Sequence, residues 1–197
     1  RGNRLISAQS ANGKQLNQTT KVSPVLTIVA DGEMKEAEWA NALTVTPFIS
    51  GKNSIDKTSV KVLYDSANIY LFWSVGQPDG ITVKMKEKDG LITSDDYIQV
   101  NLKPWIPDDI IHGRDYHYSI AINPEGIIWD AYFDPYIGGF YFSSWNSSAT
   151  VKVIRQSDRW QAEIVIPFAG LDVYSNPGWK WNLEFRHSSY KDGIAEI

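Results

Sequence analysis

The sequence predicts an all-β fold, an antiparallel two-sheet β-sandwich, from three observations. Short segments alternate apolar with polar residues, turn residues separate these segments, and Phe, Trp and Tyr make up 13% of the chain. Alternation with a period of two is typical of strands that bury one face, and aromatic residues are enriched in strands. We therefore expect a sandwich of the jelly-roll or immunoglobulin-like kind.

The clearest hairpin lies at residues 59–75. Residues 59–64 alternate, residues 65–68 supply Asp, Ser and Asn for a turn, and residues 69–75 return as a second strand. One short helix is expected near the N-terminus at residues 34–42, where Ala and Glu predominate. Further strands are predicted at residues 25–29, 96–102, 116–122, 127–132, 149–154, 160–166 and 180–186.

The chain is expected to hold one folded domain preceded by a flexible lead-in. Residues 1–23 are rich in Ser, Asn, Gln and Thr and offer little apolar surface to bury. Residues 24–197 fit one sandwich domain, since single all-β domains often reach this length. The last residues, 194–197, resemble the beginning of another strand, which predicts that the domain is part of a larger protein.

Composition argues against several classes of partner and site. The formal net charge is −4 and no dense run of Lys and Arg occurs, so nucleic acid is not an expected partner. No apolar run reaches the ~20 residues of a membrane-spanning helix, so we expect no transmembrane segment. The chain has no cysteine, which excludes disulfides and Cys-ligated metal centres.

Short catalytic motifs are missing from the sequence. It contains no Gly-x-Ser-x-Gly, no His-Glu-x-x-His, no phosphate-binding loop and no dinucleotide-binding fingerprint. We therefore expect a protein that is not an enzyme. A glycosidase that uses two carboxylates stays open as an alternative, because those two residues need not be close in sequence.

Alternation in three predicted strands places a set of polar side chains on one face. Ile98, Val100 and Leu102 point to one side of their strand, and the residues between them point to the other. If the three strands share a sheet, their polar faces would assemble a hydrogen-bonding patch suited to sugar hydroxyls. The patch would contain Gln99, His117, Glu184 and Arg186. The alternative is an ordinary solvated outer face.

Residues 129–145 are unusually aromatic. Glycines and a proline interrupt this segment, which predicts a long loop, and aromatic side chains on loops are suited to stacking on sugar rings. We expect Tyr136 and Trp145 to be the exposed pair. The alternative is that the aromatic residues pack beneath the loop or cover the end of a sheet. The aromatic residues are Trp129, Tyr132, Phe133, Tyr136, Phe140, Tyr141, Phe142 and Trp145.

Clustered carboxylates make a calcium ion possible. Oxygen-rich loops can hold Ca²⁺, but no EF-hand spacing is present, so we expect turn or cap roles for these residues and keep Ca²⁺ as the alternative. The residues concerned are Asp95, Asp96, Asp108, Asp109 and Asp134.

Five motifs, in order along the chain, resemble carbohydrate-binding module family 9. They are DG-x-M-x-E-x-x-W-x-x-A at residues 31–42, VKVLYD at 60–65 followed by IYL at 69–71, SDDYIQV at 94–100, WQAEIVIPF at 160–168 and GWKWNL at 178–183. The resemblance implies an antiparallel β-sandwich, bound calcium in some members, and sugar chain ends held between two tryptophans. It also implies a secreted, periplasmic or cell-surface location and attachment to polysaccharide-active proteins.

The sequence departs from the family pattern at the expected sugar site. Gln99 stands where the family has an acidic residue, and residues 90–95 lack the expected tryptophan. Tyr190 replaces the second tryptophan, or that tryptophan lies beyond Ile197. The predicted ligand-binding residues are therefore Gln99, His117, Tyr136, Trp145, Glu184, Arg186 and Tyr190.

These observations predict a non-catalytic carbohydrate-binding accessory module. Its expected partners are a polysaccharide or oligosaccharide and other domains of its parent protein. One alternative is a structural or docking domain without its own ligand. A less favoured one is a haem-binding relative that uses Met85 and His117, because similar sandwiches hold haem between a Met and a His or Lys.

Overall fold

The structure is a computed structural model and describes residues 5–9, 15–19, 26–46, 48–50, 53–55, 57–105, 116–135, 138–174, 180–191 and 194–196. These residues form fifteen strands, numbered here in chain order. The strands are β1 (Leu5–Gln9), β2 (Gln15–Thr19), β3 (Leu43–Val45), β4 (Phe48–Ser50), β5 (Asn53–Ile55), β6 (Thr58–Tyr64), β7 (Asn68–Gly76), β8 (Tyr97–Trp105), β9 (His117–Ile122), β10 (Ile128–Asp134), β11 (Phe140–Phe142), β12 (Thr150–Arg155), β13 (Arg159–Pro167), β14 (Lys180–Lys191) and β15 (Ile194–Glu196).

Two sheets account for most of these strands. The larger sheet has the order β11-β10-β9-β8-β14-β1-β2, with β15 also paired to β14, and the smaller sheet has the order β12-β13-β7-β6-β3. Strands β4 and β5 form a separate hairpin. Among the described strands every pair is antiparallel except β1 with β14, which is parallel. The predicted two-sheet sandwich and the predicted β6–β7 hairpin are confirmed.

The inner faces of the two sheets enclose one apolar core. Ile98, Val100 and Leu102 of β8 are all buried, as their alternation predicts. Trp73 and Trp160 of the smaller sheet pack into the same cluster. Burying one aliphatic side chain such as Leu102 stabilises the fold by roughly 1.5–3 kcal/mol. This cluster is therefore the main source of stability.

The segment of residues 26–42 covers the outer face of the smaller sheet. Ile28 and Trp39 pack there against Tyr70 and Phe72, in a second cluster. Residues 26–30 do not form the predicted strand, because they cross the sheet face and do not pair along its edge. The predicted helix is a 3₁₀ helix over Ala37–Asn41, shorter than expected at both ends.

A buried carboxylate fastens this segment. Glu163 Oε2 accepts the backbone N–H groups of Asp31 and Gly32, each at 3.0 Å, and its Oε1 accepts Trp39 Nε1 at 3.2 Å. Burial raises the pKa of Glu163 despite these bonds. Gly32 has a φ of 86°, and a Cβ added there would lie 2.9 Å from Ile154 Cγ1, so glycine is required at this turn.

The structure contains strands in two regions where the sequence pattern predicted none. Strands β1 and β2 lie within residues 1–23, where β1 adds to the edge of β14 by backbone pairing. Strand β11 lies within the predicted long loop and pairs with β10 as a hairpin. Both additions depend on backbone hydrogen bonds to an existing edge, which a burial pattern does not reveal.

The remaining 3₁₀ helices are Ile92–Ser94 and Phe168–Tyr174. Ile92–Ser94 is a single short turn, whereas Phe168–Tyr174 is interrupted by a kink at Leu171. Within the described ranges, the chain has no helix with the length and apolar character needed to cross a membrane.

His187 is an ionisable group on the inner face of β14. Its ring is buried, Nδ1 lies 3.2 Å from Thr58 Oγ1, and Nε2 has no hydrogen-bond partner among the described residues. Burial lowers the pKa of His187 from 6.5 to about 4, because the charged ring would lose its hydration.

We expect His187 to make the fold sensitive to acid. The unfolded chain takes up a proton at this residue below about pH 6.5, and the folded chain only near pH 4, so this contribution to stability is lost as the pH falls through that window. The loss between pH 7.5 and pH 5 is about 2 kcal/mol. Urea unfolding of the native protein and of His187→Asn, which keeps an acceptor for Thr58, should show a shallower pH dependence in the variant. An equal pH dependence in both proteins would contradict the assignment.

Candidate functional site

The outer face of the larger sheet is the candidate site, here called the open face. Five adjacent strands, β14, β8, β9, β10 and β11, contribute to it. Because their inner residues fill the core, every second residue points outward. The registers place these outward residues in three rows across the strands. The rows are Arg186, Gln99, Ala121 and Trp129; Glu184, Asn101, Ser119 and Ala131; and Asn182, Lys103, then His117, Phe133 and Tyr141.

A chain of side-chain hydrogen bonds occupies the β14–β8–β9 part of the open face. Arg186 donates from Nε and Nη2 to Glu184 Oε1 at 3.0 and 2.8 Å. Asn101 Nδ2 donates to Glu184 Oε2 at 3.2 Å. Asn101 Oδ1 in turn accepts Gln99 Nε2 at 2.8 Å and Ser119 Oγ at 2.7 Å. This polar network orients each side chain before any ligand arrives.

Glu184 stays ionised within this network. Its burial alone would raise the pKa, but the hydrogen bonds from Arg186 and Asn101 and the nearby positive charge of Lys103 outweigh burial, so the pKa lies below its usual range. An ionised carboxylate accepts hydrogen bonds but donates none. Glu184 is therefore suited to bind donors and unsuited to act as a general acid near neutral pH.

Aromatic rings occupy the β9–β11 part of the open face. His117 stacks on Phe133 with ring centroids 4.9 Å apart, and Tyr141 lies 5.1 Å from Phe133 and 5.8 Å from Trp129. The Tyr141 ring thus bridges the two aromatic residues that flank Ala131 on β10. Its hydroxyl lies 3.3 Å from His117 Nε2. This aromatic cluster lies beside the polar network on the same face.

Tyr141 is the most accessible member of the aromatic cluster. It is 49% exposed, whereas Trp129, Phe133 and His117 are partly buried beneath or beside it. A stacking ligand would therefore meet the Tyr141 ring first. Phe140, the preceding residue, is 66% exposed but points to the other side of β11.

The covering loop, residues 81–96, closes one end of the open face. Met85 and Ile92 of this loop pack against Tyr97, Ala121 and Trp129, forming a small third cluster. The loop thus gives the face a wall at the end of the row that contains Trp129.

Two buried aspartates hold the covering loop. Asp95 accepts the backbone N–H of Lys84 at 2.7 Å and of Met85 at 3.1 Å, and it accepts Asn123 Nδ2 at 2.9 Å. Asp96 accepts the backbone N–H of Tyr190 at 2.6 Å and that of Thr82, which belongs to the covering loop. Both carboxylates are fully buried, and each accepts hydrogen bonds from backbone N–H groups.

Five of the seven predicted ligand-binding residues share the open face. Gln99, Glu184 and Arg186 meet in the polar network, and His117 belongs to the aromatic cluster. Tyr190 lies further along β14, where its ring contacts Lys84 Nζ at 4.3 Å from the centroid. Tyr136 lies outside the described residues. Whether these residues bind a ligand stays a prediction.

Trp145, which the sequence predicted as a ligand-binding residue, lies away from the open face. Its ring packs on Tyr118, with centroids 4.9 Å apart, and its Nε1 donates to the Gly170 carbonyl at 3.0 Å. Tyr118 points into the core, so Trp145 lies at the margin of the core and is only partly exposed. It is therefore not brought together with the open face.

The sequence interpretation missed Asn101 and Ser119 as network members and Trp129, Phe133 and Tyr141 as one cluster. Alternation puts Asn101 and Ser119 on the polar faces of their strands, but a small or amide side chain gives no further signal of a binding role. The signal for the aromatic cluster is present in the sequence. Trp129, Ala131 and Phe133 alternate with a period of two, which places them on one face of a strand if the segment forms a hairpin and not a loop.

Neither calcium nor haem receives structural support from these residues. Among the described residues no three His, Cys, Asp or Glu side chains form a group that could hold a metal ion. Asp95 and Asp96 bind backbone donors, Asp134 is buried, and Asp108 and Asp109 lie outside the described ranges.

The haem alternative required Met85 and His117 to approach one iron. Met85 packs at Ala121, which lies four residues from His117 on the same strand, about 13 Å away. The His117 ring is stacked on Phe133. This separation argues against the haem-binding alternative.

The fold is that of a domain like carbohydrate-binding module family 9. A Bacteroides uniformis protein provisionally described as carbohydrate-binding aligns with a TM-score of 0.67 and 12% identity, over 100% of this chain and 88% of that chain. A family 9 module from Caldicellulosiruptor kristjanssonii in complex with glucose aligns with a TM-score of 0.57 and 15% identity, over 98% and 82% of the two chains. A module of the same family and organism in complex with cellotriose gives 0.55 and 15%, over 98% and 80%. Neither a protein-family model nor a curated protein matches the sequence.

We expect Asp95→Ala to release the covering loop. The change removes a buried acceptor and leaves three N–H donors without a partner, which costs about 3 kcal/mol of unfolding free energy. Hydrogen exchange should become faster across residues 81–96. The matched control is Glu87→Ala, an exposed position in the same loop, which should change stability by less than about 0.5 kcal/mol. Equal effects of the two changes would rule out this role for Asp95.

Proposed function

We propose that this domain is a non-catalytic carbohydrate-binding module that binds an oligosaccharide on the open face of its larger sheet. The observation that carries the proposal is the polar network of Gln99, Asn101, Ser119 and Glu184 with Arg186, lying beside an aromatic cluster whose Tyr141 ring is exposed. The two groups match the two surfaces of a sugar.

A sugar ring has an apolar face of C–H groups and a rim of hydroxyls. An exposed aromatic ring stacks on the apolar face, and a few oriented polar groups fix the hydroxyls and supply specificity. Tyr141 would provide the stacking surface. Glu184 would accept hydrogen bonds from sugar hydroxyls, and Gln99 and Arg186 would donate hydrogen bonds to hydroxyl oxygens. The network holds these groups in place beforehand, which reduces the ordering cost of binding.

The comparisons support a saccharide as the ligand class. Two structures with this fold contain glucose and cellotriose, and a third is provisionally described as carbohydrate-binding. We extend this ligand class to the present chain because its open face supplies both stacking and hydrogen-bonding groups. We further propose that the domain is an accessory part of a secreted, periplasmic or cell-surface protein that acts on polysaccharides. Bound Ca²⁺ stays part of the proposal as an optional structural ion.

The first experiment is a glycan array probed with the purified protein, with and without calcium, followed by calorimetry on any hit. Tyr141→Ala should lower the affinity for that glycan about two- to twelvefold, since loss of one aromatic stacking contact costs about 0.5–1.5 kcal/mol. Phe140→Ala is the matched control, because Phe140 precedes Tyr141 on β11 and points the other way. It should leave the affinity unchanged.

Two results would contradict this proposal. Silence across the array, with and without calcium, would favour the structural or docking alternative. A hit that is lost in Phe140→Ala but kept in Tyr141→Ala would move the site to the opposite side of β11.

A further inference from the structure

The groups of the open face that a ligand can reach fall into two separate sets. The polar set lies over β14 and β8, where Arg186 is exposed and Glu184 and Gln99 are partly exposed. The aromatic set lies over β10 and β11, where the Tyr141 ring is 49% exposed. A ligand on this face therefore has two places to make strong contacts.

Strand β9 separates the two places. Its outward residues opposite the polar set are Ser119 and Ala121, and both are buried. Ala131, which pairs with Ser119 on β10, is buried as well. These side chains offer no ring on which a sugar could stack, and the Ser119 hydroxyl already donates to Asn101. A ligand that touches both places has to pass over this stretch without a strong contact.

The side chains of the polar set do not extend across β9. Arg186 donates to Glu184, which lies two residues away on the same strand. Gln99 donates to Asn101, again two residues away on its own strand. These hydrogen bonds direct both donors along β14 and β8 and not toward the aromatic set. The polar groups thus remain over the strands that carry them.

The two places are farther apart than one sugar ring can bridge. The Tyr141 ring lies over β10, beside Trp129 and Phe133. Strand β10 is three strand intervals from β14, about 14 Å at ~4.8 Å per interval. A hydrogen bond joins heavy atoms only about 3 Å apart. A sugar ring that stacks on Tyr141 is therefore out of hydrogen-bonding range of Arg186.

We infer that the open face binds two different units of one glycan chain, one stacked on Tyr141 and the other hydrogen-bonded to Glu184 and Arg186. This inference rests on the proposed function and specifies its ligand class. Two rings joined by a single glycosidic oxygen are closer together than the two places, so at least one further unit lies between them, over β9. The ligand is thus a chain of three or more sugar units, and a monosaccharide or disaccharide fills one place only.

The test measures affinity against chain length. Calorimetry is run with the monosaccharide to the hexasaccharide of β-1,4-linked glucose, β-1,3-linked glucose, β-1,4-linked xylose and β-1,4-linked mannose, and with the fragments of any other glycan that the array returns. Within a series that binds, the affinity should rise about tenfold or more from the disaccharide to the tetrasaccharide. The physical reason is that only the longer chain adds hydrogen bonds to the charged pair, which are stronger than bonds between neutral groups.

Variants assign the two units to their places. With the tetrasaccharide, Tyr141→Ala and Arg186→Gln should each weaken binding, whereas with the disaccharide only one of the two variants should do so. Arg159→Gln is the matched control, because Arg159 is an exposed arginine of the smaller sheet that is likewise paired with a carboxylate, Asp158. It should leave the affinity unchanged at every chain length. Thermal melting checks that each variant is folded, and Glu184→Gln carries the test if Arg186→Gln does not fold.

The outcomes separate this inference from the proposed function. If a monosaccharide or disaccharide binds within about twofold of its tetrasaccharide, and Tyr141→Ala weakens that binding, the inference is overturned while the proposed function stands. The inference also fails if Tyr141→Ala and Arg186→Gln weaken disaccharide binding equally, because one short ligand would then reach both places. If no glycan binds at all, the inference and the proposed function are both overturned.

Discussion

The register between β8 and β14 is the constraint on which both the core and the open face depend. The pairing of Leu102 with Leu183 and of Asn101 with Glu184 sends apolar side chains inward and polar ones outward on both strands. Because side chains alternate with a period of two, a slip of one residue would bring Asn101 into the core and Leu102 to the solvent. Burial of Leu102 and its neighbours therefore aligns the polar network as well as stabilising the fold. The strand register that packs the core thus also assembles the candidate site.

Buried carboxylates secure the segments that cover both sheets. Glu163 holds residues 31–39 on the smaller sheet, and Asp95 holds the covering loop on the larger one. Asp65 has the same role, accepting the N–H groups of Leu26, Ala67 and Asn68 as well as the Tyr70 hydroxyl. Burial works against ionisation of Asp65, but its backbone donors outweigh burial and keep its pKa below the usual value. In a chain without cysteine, these carboxylates tie loops to sheets, a role that disulfides have in many small secreted domains.

The open face differs from the sugar site that the family resemblance implied. The implied site uses two tryptophans, whereas among the described residues of the open face the exposed ring is that of Tyr141, carried by a short strand at the sheet edge. Gln99, which replaces the family's acidic residue, donates to Asn101 and is part of the polar network. The carboxylate of this face comes from Glu184 on the neighbouring strand, and it is neutralised by Arg186. The same fold thus presents a different balance of charge and stacking.

The sequence by itself determined the fold class, most of the strands and the polar sides of β8, β9 and β14, because alternation with a period of two is a local property of the chain. Only the tertiary structure decided that Gln99, Glu184 and Arg186 meet, since their strands are about 85 residues apart in sequence and are joined by pairing. It also placed Tyr141 on the open face and Trp145 at the margin of the core. Composition marks both as aromatic residues in one glycine-containing segment, but the β10–β11 hairpin turns Tyr141 outward. The packing of Tyr118 and the Gly170 carbonyl hold Trp145 against the core, and contacts between residues distant in sequence leave no local pattern from which to predict them.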